Sequence, residues 1–195
     1  SRVVIHCRNT SRLSVFTDTG KQHLLKVMDV PYGKFRDKGT PIDNLCNYNS
    51  GEESFVAVMP LEEAAGACLV FVTEMGSVKR VLGDEFDVSK RTIAATKLAE
   101  GDRVAAVKTA SREAHIVLQT KNDFLLRFPL EEIPLQKKAA MGVRGIRLSG
   151  EDRVVGAHIL EPEQSVQAEA GGRTVNLNRL KVCGRDTRGS KVRSQ

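Results

Sequence analysis

Tryptophan is absent from this sequence, and aromatic residues make up only 5% of its 195 residues. A core with so few large rings must be built mostly from valine, leucine, isoleucine and alanine. Such a core suits many thin strands better than one large aromatic cluster. At this length the chain is able to bury a sizeable core in one or two domains.

Long apolar runs are lacking as well. No stretch approaches the ~20 residues that a membrane span needs, and no charged segment followed by an apolar one opens the chain as a secretion signal would. The cysteines are far apart and show no CxxC spacing, which disfavours zinc and favours reduced thiols. They are Cys7, Cys46, Cys68 and Cys183. We therefore expect a cytoplasmic protein with no membrane partner.

Sequence signals of catalysis are also missing. There is no phosphate-binding loop and no pairing of a nucleophile with a base. Each histidine stands singly on a strand-like segment, which is typical of packed or surface histidines; these are His6, His23, His115 and His158. Acidic residues cluster in turns, where turn chemistry and solvation explain them. The sequence predicts that this chain alone is not an enzyme and binds neither a metal nor a cofactor.

What the sequence has is a repeat, seen most clearly in residues 116–159. Two apolar runs flank the turn Lys121-Asn122-Asp123, which predicts a hairpin. A polar loop, a segment of alternating apolar and basic residues, and a final apolar run at residues 154–159 follow. This pattern predicts four short strands within one unit.

The same unit recurs through the chain. Its first strand ends at Thr17, Thr73, Thr120 and Ala168, and a turn residue follows at Gly20, Gly76, Asp123 and Gly171. A later loop glycine stands at Gly39, Gly142 and Gly189, with Thr92 in that place in the second copy. A period of about 45 residues with four strands per unit is typical of propeller blades. We expect a single all-β domain over residues 1–195, with repeats at about 13–60, 67–110, 114–160 and 164–195.

The net charge is +6 and the pI is about 9.3, which favours an acidic partner. Much of the positive charge falls in one loop of each repeat, so the loops of successive blades would form a curved basic row. No base-reading helix is apparent, and Tyr32 and Tyr48 form no stacking platform, so we expect non-sequence-specific contacts with a DNA backbone. The candidate contacts are Lys34, Arg36, Lys38, Lys79, Arg80, Lys90, Arg91, Lys137, Lys138, Arg144, Arg185, Arg188 and Lys191.

Two alternatives stay open at this point. A propeller-like module with a basic surface also suits an acidic protein partner. The bases of residues 181–195 also fit a disordered basic tail, although the phase of the repeat assigns Arg185 and Arg188 to a blade loop.

Residues 15–192 resemble the C-terminal domain of the A subunit of the bacterial type IIA topoisomerases, DNA gyrase and topoisomerase IV. The matching stretches are FTDTGKQHLLKV with KGTPIDNL, FVTEMGSVKR with IAATKLAEGDRV, and LQTKNDFLLRFP with GVRGIRLSGEDRV. The resemblance implies a β-pinwheel, whose blades exchange a strand, with DNA bent or wrapped on the outer rim and presented to the cleavage core. It also implies three partners in the bacterial nucleoid, which are double-stranded DNA, the ATPase B subunit, and the rest of the A subunit. ATP and magnesium are expected only in other parts of that enzyme.

Three departures from the family pattern bear on this expectation. The gyrase box Q-R-R-G-G-K-G is absent, and the nearest stretches are KFRDKGT at 34–40 and GRDTRGSK at 184–191. This favours a protein like that of topoisomerase IV, or a fragment without the blade that bears the box. Thr92 replaces the usual glycine, and fewer than five full units are present, so we expect an open or truncated ring. The opening RVVIH reads as the last strand of an earlier blade.

Overall fold

The structure, a computed structural model, describes residues 4–6, 8, 11–30 and 46–194. Nearly all regular structure in these ranges is β-strand, which confirms the all-β class. The one α-helix found there, α1 (Leu61–Ala65), has five residues and is the helical turn predicted between the first two repeats. No helix among the described residues is long and apolar enough to cross a membrane.

Fourteen strands follow one another in the described ranges. In chain order they are β1 (Arg12–Thr17), β2 (Lys21–Lys26), β3 (Phe55–Pro60), β4 (Cys68–Thr73), β5 (Ser77–Leu82), β6 (Thr92–Ala94), β7 (Val104–Thr109), β8 (His115–Thr120), β9 (Phe124–Pro129), β10 (Val143–Arg144), β11 (Val154–Leu160), β12 (Gln167–Ala170), β13 (Arg173–Asn176) and β14 (Ser190–Lys191). Each hairpin is followed by a 3-10 turn, at Val27–Asp29, Gly83–Phe86, Leu130–Glu132 and Leu177–Arg179. The four predicted hairpins are thus confirmed.

The hairpin turns explain the recurring threonine and glycine. The hydroxyl of Thr73 accepts a hydrogen bond from the backbone N–H of Ser77 at 3.0 Å, and Thr120 accepts one from Phe124 at 3.1 Å. Gly76 then adopts a φ of 93°, a region that glycine enters without a steric penalty. The T-x-x-G pattern is therefore the chemistry of a tight turn.

The acidic turn before each closing strand has a structural role. Asp102 accepts a hydrogen bond from the backbone N–H of Met75, and Asp152 accepts one from Asn122, both at 3.0 Å. Both carboxylates are buried, where charge-assisted bonds from N–H groups offset the cost of leaving water. Solvation therefore does not explain these two carboxylates, and their capping of the neighbouring hairpin turn does.

Adjacent repeats exchange a strand. The three four-stranded sheets have the orders β3-β1-β2-β6, β10-β5-β4-β7 and β11-β8-β9-β14. In each sheet one hairpin strand pairs with the closing strand of its own repeat, and the other pairs with a short strand donated by the next repeat. Thr92 lies opposite His23 in this way, and Val143 lies opposite Val78. This is the pinwheel arrangement that the resemblance implied.

The fourth repeat differs from the other three in the described chain. Its hairpin forms a two-stranded sheet, β12-β13. Its short strand β14 is donated to the third sheet, where Ser190 lies opposite Leu125. Because residues 190–191 are part of a sheet, the disordered-tail alternative is wrong for this segment.

The closing strands mark the centre of the arrangement. One central groove of about 910 Å³ is lined by Val58 of β3, Val107 of β7 and Ile159 of β11, among others. The donated strands β6, β10 and β14 are at the opposite edge of each sheet. They therefore lie on the outside, and we call this side the perimeter.

The core lies between successive sheets. Phe16, Phe71 and Phe86 meet where the first and second sheets pack, with ring centroids 5.5 to 5.8 Å apart. Between the second and third sheets the core is largely aliphatic, with Val70 and Ile116 fully buried. The scarcity of aromatic residues is thus met as predicted, by thin sheets packed through aliphatic side chains.

Gly142 leads into β10 at a point where a side chain has no room. Its φ is 88°, and a Cβ there would lie 2.5 Å from the carbonyl oxygen of Val78. We expect Gly142→Ala to lower the free energy of unfolding by about 1–2 kcal/mol, because dihedral strain and the clash add. Gly156 has open space at its Cβ position, so Gly156→Ala is a matched control. Denaturant unfolding compares the two variants, and equal stabilities would contradict this packing.

Candidate nucleic-acid interface

Basic segments accompany each donated strand to the perimeter. Lys90 and Arg91 directly precede β6, Lys137 lies in the loop before β10, and Arg188 lies just before β14. These loops leave their own repeat and cross to the preceding sheet. The basic residues consequently occupy equivalent places at successive boundaries between sheets.

Several of the predicted contacts have exposed side chains at these places, and we call them the perimeter bases. They are Lys90, Arg91, Lys137, Arg144, Arg188 and Lys191. Their charged groups are in solvent, where a phosphate is able to reach them. The predicted contacts of the first repeat, Lys34, Arg36 and Lys38, lie outside the described residues, and their assignment stays a prediction.

Two of the perimeter bases are ordered by one aromatic ring. The guanidinium of Arg188 lies 5.0 Å from the centroid of the Phe124 ring, and the ammonium of Lys191 lies 6.0 Å from it. Cation–π contacts of this kind contribute about 0.5–1 kcal/mol at exposed sites. The fourth repeat thus presents its bases over the start of β9, in the third sheet.

Arg80 holds the main chain of the next repeat. Its Nε donates to the carbonyl of Ile133 at 2.6 Å. Arg127 has the same place in the following repeat, and its Nη1 donates to the carbonyls of Asn178 at 2.7 Å and Leu180 at 3.2 Å. Arg127 was not among the predicted contacts, although its phase with Arg80 marks it. Both arginines brace one repeat against the next.

Lys138 and Arg185 have similar bracing contacts. The ammonium of Lys138 donates to the carbonyl of Glu85 at 2.7 Å. The guanidinium of Arg185 donates to the carbonyls of Glu132 at 2.9 Å and Arg144 at 2.8 Å. Both side chains are half-buried, so part of their hydrogen-bonding capacity serves the fold.

Lys79 is the largest difference from the sequence-based set. Its side chain is buried, with 1% of the residue exposed. Its ammonium donates to the carbonyls of Lys137, Lys138 and Ala140 at 3.2, 2.9 and 2.7 Å. The prediction that Lys79 contacts DNA directly is wrong, because its three donors are used inside the protein.

One acidic residue stands among the perimeter bases. Asp186 accepts hydrogen bonds from Arg144 at 2.5 and 3.2 Å and from Arg147 at 3.3 Å. The bond from Arg144 holds the pKa of Asp186 below its ordinary value, and the same bond raises the pKa of Arg144. Asp186 therefore joins two arginines of the third repeat to the loop of the fourth, in the position that a phosphate would otherwise take.

The buried histidine His23 serves the interior. Its ring nitrogens lie 2.7 Å from a carboxylate oxygen of Glu53 and 2.9 Å from the hydroxyl of Thr92, on the donated strand β6. Burial acts to raise the pKa of Glu53, but hydrogen bonds led by the backbone N–H of Asn49 lower it overall. Across residues 4–6, 8, 11–30 and 46–194, no group of histidine, cysteine and acidic side chains is arranged to hold a metal.

Comparison with known sequences finds relatives of one kind. Residues 69–111 and 114–161 match the family model described as the DNA gyrase C-terminal domain, beta-propeller. The chain is 34% identical over 161 residues to the DNA gyrase A protein of Lawsonia intracellularis (strain PHE/MN1-00), and 35% identical over 158 residues to that of Chlamydia pneumoniae. These alignments cover 82% and 79% of this chain but 20% and 19% of the relatives. The chain thus spans about a fifth of the length of the curated relatives it matches.

Solved structures give the same fold. The crystal structure of the C-terminal domain of DNA topoisomerase IV aligns with a TM-score of 0.84 at 22% identity, covering 95% of this chain and 59% of that one. The DNA gyrase A C-terminal domain aligns with a TM-score of 0.72 at 17% identity, covering 94% and 60%. At these identities the likeness concerns the fold, and it confirms the propeller-like β-pinwheel. Gyrase against topoisomerase IV stays a prediction.

Proposed function

Because this chain belongs to the family of the DNA gyrase C-terminal domain, we propose that it binds double-stranded DNA along its perimeter and bends it. The binding does not read base sequence. The observation that carries this proposal is that basic segments recur at the same edge of three successive sheets, beside β6, β10 and β14. A duplex that follows these edges meets one group of bases after another.

The physical basis is attraction between the perimeter bases and phosphates. Each phosphate that a lysine or arginine neutralises releases condensed counterions, which makes the affinity large at low salt and steeply dependent on salt. Bending costs free energy because duplex DNA has a persistence length of about 150 bp, so several contacts along the curve are needed to offset it. Contacts of this type fix the path of the duplex but carry no sequence information.

In the parent enzyme, the bent duplex would be presented to the cleavage core of a type IIA topoisomerase in the bacterial cytoplasm. The ATPase B subunit would be one protein partner, and the rest of the A subunit would be the other. Cleavage chemistry, ATP and magnesium would belong to those other parts, while this chain would contribute binding and shape. Ligation of nicked circular DNA in the presence of the protein would give the hand of any wrapping, from the sign of the change in linking number.

Salt titration separates this proposal from the binding of an acidic protein. We expect the affinity for two duplexes of unrelated sequence to be similar, and to fall linearly on a log–log plot between about 50 and 200 mM salt. Fluorescence anisotropy measures both constants. A protein that leaves both duplexes unbound at about 50 mM salt would remove the DNA proposal and leave the acidic-protein partner.

A further inference from the structure

Lys79 joins two repeats through its side chain. It belongs to β5 in the second repeat, and the three carbonyls that it contacts belong to residues 137–140, in the third repeat. A lysine ammonium has three donors, and three carbonyl oxygens lie within 3.2 Å of this one. The main chain of the loop is thus gathered around a single buried positive charge.

The surroundings of the ammonium explain its strength as a fastening. It lies 5.5 Å from the centroid of the Phe71 ring, and the acidic group with an electrostatic effect on it is Glu85. The charged head of Lys138 is directed to the Glu85 carbonyl. Burial lowers the pKa of Lys79 to about 8, with Glu85 opposing that shift. The three carbonyls therefore stand where counter-charges are scarce, and their dipoles supply most of the compensation.

The loop held in this way is part of the proposed interface. Lys137 is exposed, while its carbonyl points to Lys79. The loop continues into β10, which ends at the perimeter base Arg144. The equivalent place on β2 is taken by His23, which bonds to Glu53 and Thr92, and on β9 by the apolar Leu126. Within the described repeats, this ammonium fastening is found at the boundary between the second and third.

We propose that Lys79 is a positioning residue for DNA binding, whose charged ammonium fixes the loop of residues 137–140 so that Lys137 meets the duplex. Lys79 itself does not contact DNA. The proposal rests on the proposed function for its consequence, but the fastening of the loop is observable without DNA. Loss of the charge is expected to free the loop and to weaken duplex binding.

The experiment compares Lys79→Met with Lys108→Met, which removes an exposed lysine of the central groove. We expect Lys79→Met to bind duplex about 5-fold more weakly at ~50 mM salt, and Lys108→Met to bind within about 2-fold of the unsubstituted protein. Hydrogen exchange should show faster exchange of the amides of residues 137–142 in Lys79→Met. Wild-type affinity and wild-type amide protection in Lys79→Met would overturn the proposal.

The pH profile gives a second test that needs no folded variant. As pH rises through about 8, the folded protein loses the Lys79 proton, so the unsubstituted protein should lose about 3-fold in affinity from about pH 7 to about pH 9. The unfolded chain keeps this proton to higher pH, so the contribution of Lys79 to the unfolding free energy rises over the same interval. A fall in affinity there would therefore not come from unfolding through this group.

The outcomes separate the two proposals. No duplex binding by the unsubstituted protein would contradict the proposed function, while the exchange rates would still report on the fastening. Duplex binding with a flat pH profile, and with loop amides equally protected at both pH values, would contradict the role of Lys79 alone.

Discussion

Reversing the charge of two perimeter bases, Lys90→Glu with Lys137→Glu, should weaken duplex binding by about 100-fold at ~50 mM salt. The two residues lie beside different donated strands, β6 and β10, and both side chains are exposed. Each substitution removes one phosphate contact and adds a repulsion. The slope of log affinity against log salt should therefore decrease by about 2.

The matched control is Lys108→Glu with Arg112→Glu. Both side chains are exposed, but Lys108 faces the central groove, and Arg112 lies in the turn between β7 and β8. The two double variants change the net charge equally, so a difference between them reports placement and not overall charge. We expect the control to lose less than about 5-fold in affinity. Equal losses in the two variants would mean that binding is not confined to the perimeter.

Removing the charge of Asp186 should have the opposite effect. The Asp186→Asn variant is expected to bind duplex about 20-fold more tightly at ~50 mM salt, because Arg144 and Arg147 lose their internal anion and become able to pair with phosphates. The salt slope should become steeper by about 1–2. Anisotropy titrations at several salt concentrations measure both quantities.

The choice of asparagine matters at this position. Asp186 has a φ of 65°, a left-handed conformation that asparagine tolerates about as well as aspartate and alanine does not. The backbone N–H of Asp186 donates to the carbonyl of Gly145 at 2.8 Å and is unaffected by the change. Unchanged or weaker binding by Asp186→Asn would show that the ion pairs hold the arginines in their DNA-binding geometry.

The repeat made much of the fold predictable from the sequence. Turn residues such as Gly76 recur at a fixed phase because a tight hairpin needs a positive φ there. The apolar runs on either side of them predict strands for the same reason in each copy. The pairing of β10 with β5 came only from the family resemblance, because two residues of strand carry too little pattern to specify a distant partner.

The candidate site was less predictable, because sequence does not show where a long side chain ends. Lys79 and Lys137 are both lysines of basic segments, but one ammonium lies among carbonyls and the other residue is exposed. In the sequence Asp186 is one acid within a basic stretch, and its contacts with Arg144 depend on the packing of two repeats. Main-chain carbonyls that attract buried bases appear only once the loops are placed.

The most direct test of a duplex that follows the perimeter is its end-to-end distance in the complex. A duplex of about 50 bp is stiff on its own, so dyes at its two ends lie too far apart for energy transfer. With the unsubstituted protein at saturation, we predict that the ends approach and transfer rises, whereas Lys90→Glu with Lys137→Glu leaves the duplex straight at the same protein concentration. Saturated binding without any change in energy transfer would contradict bending along the perimeter.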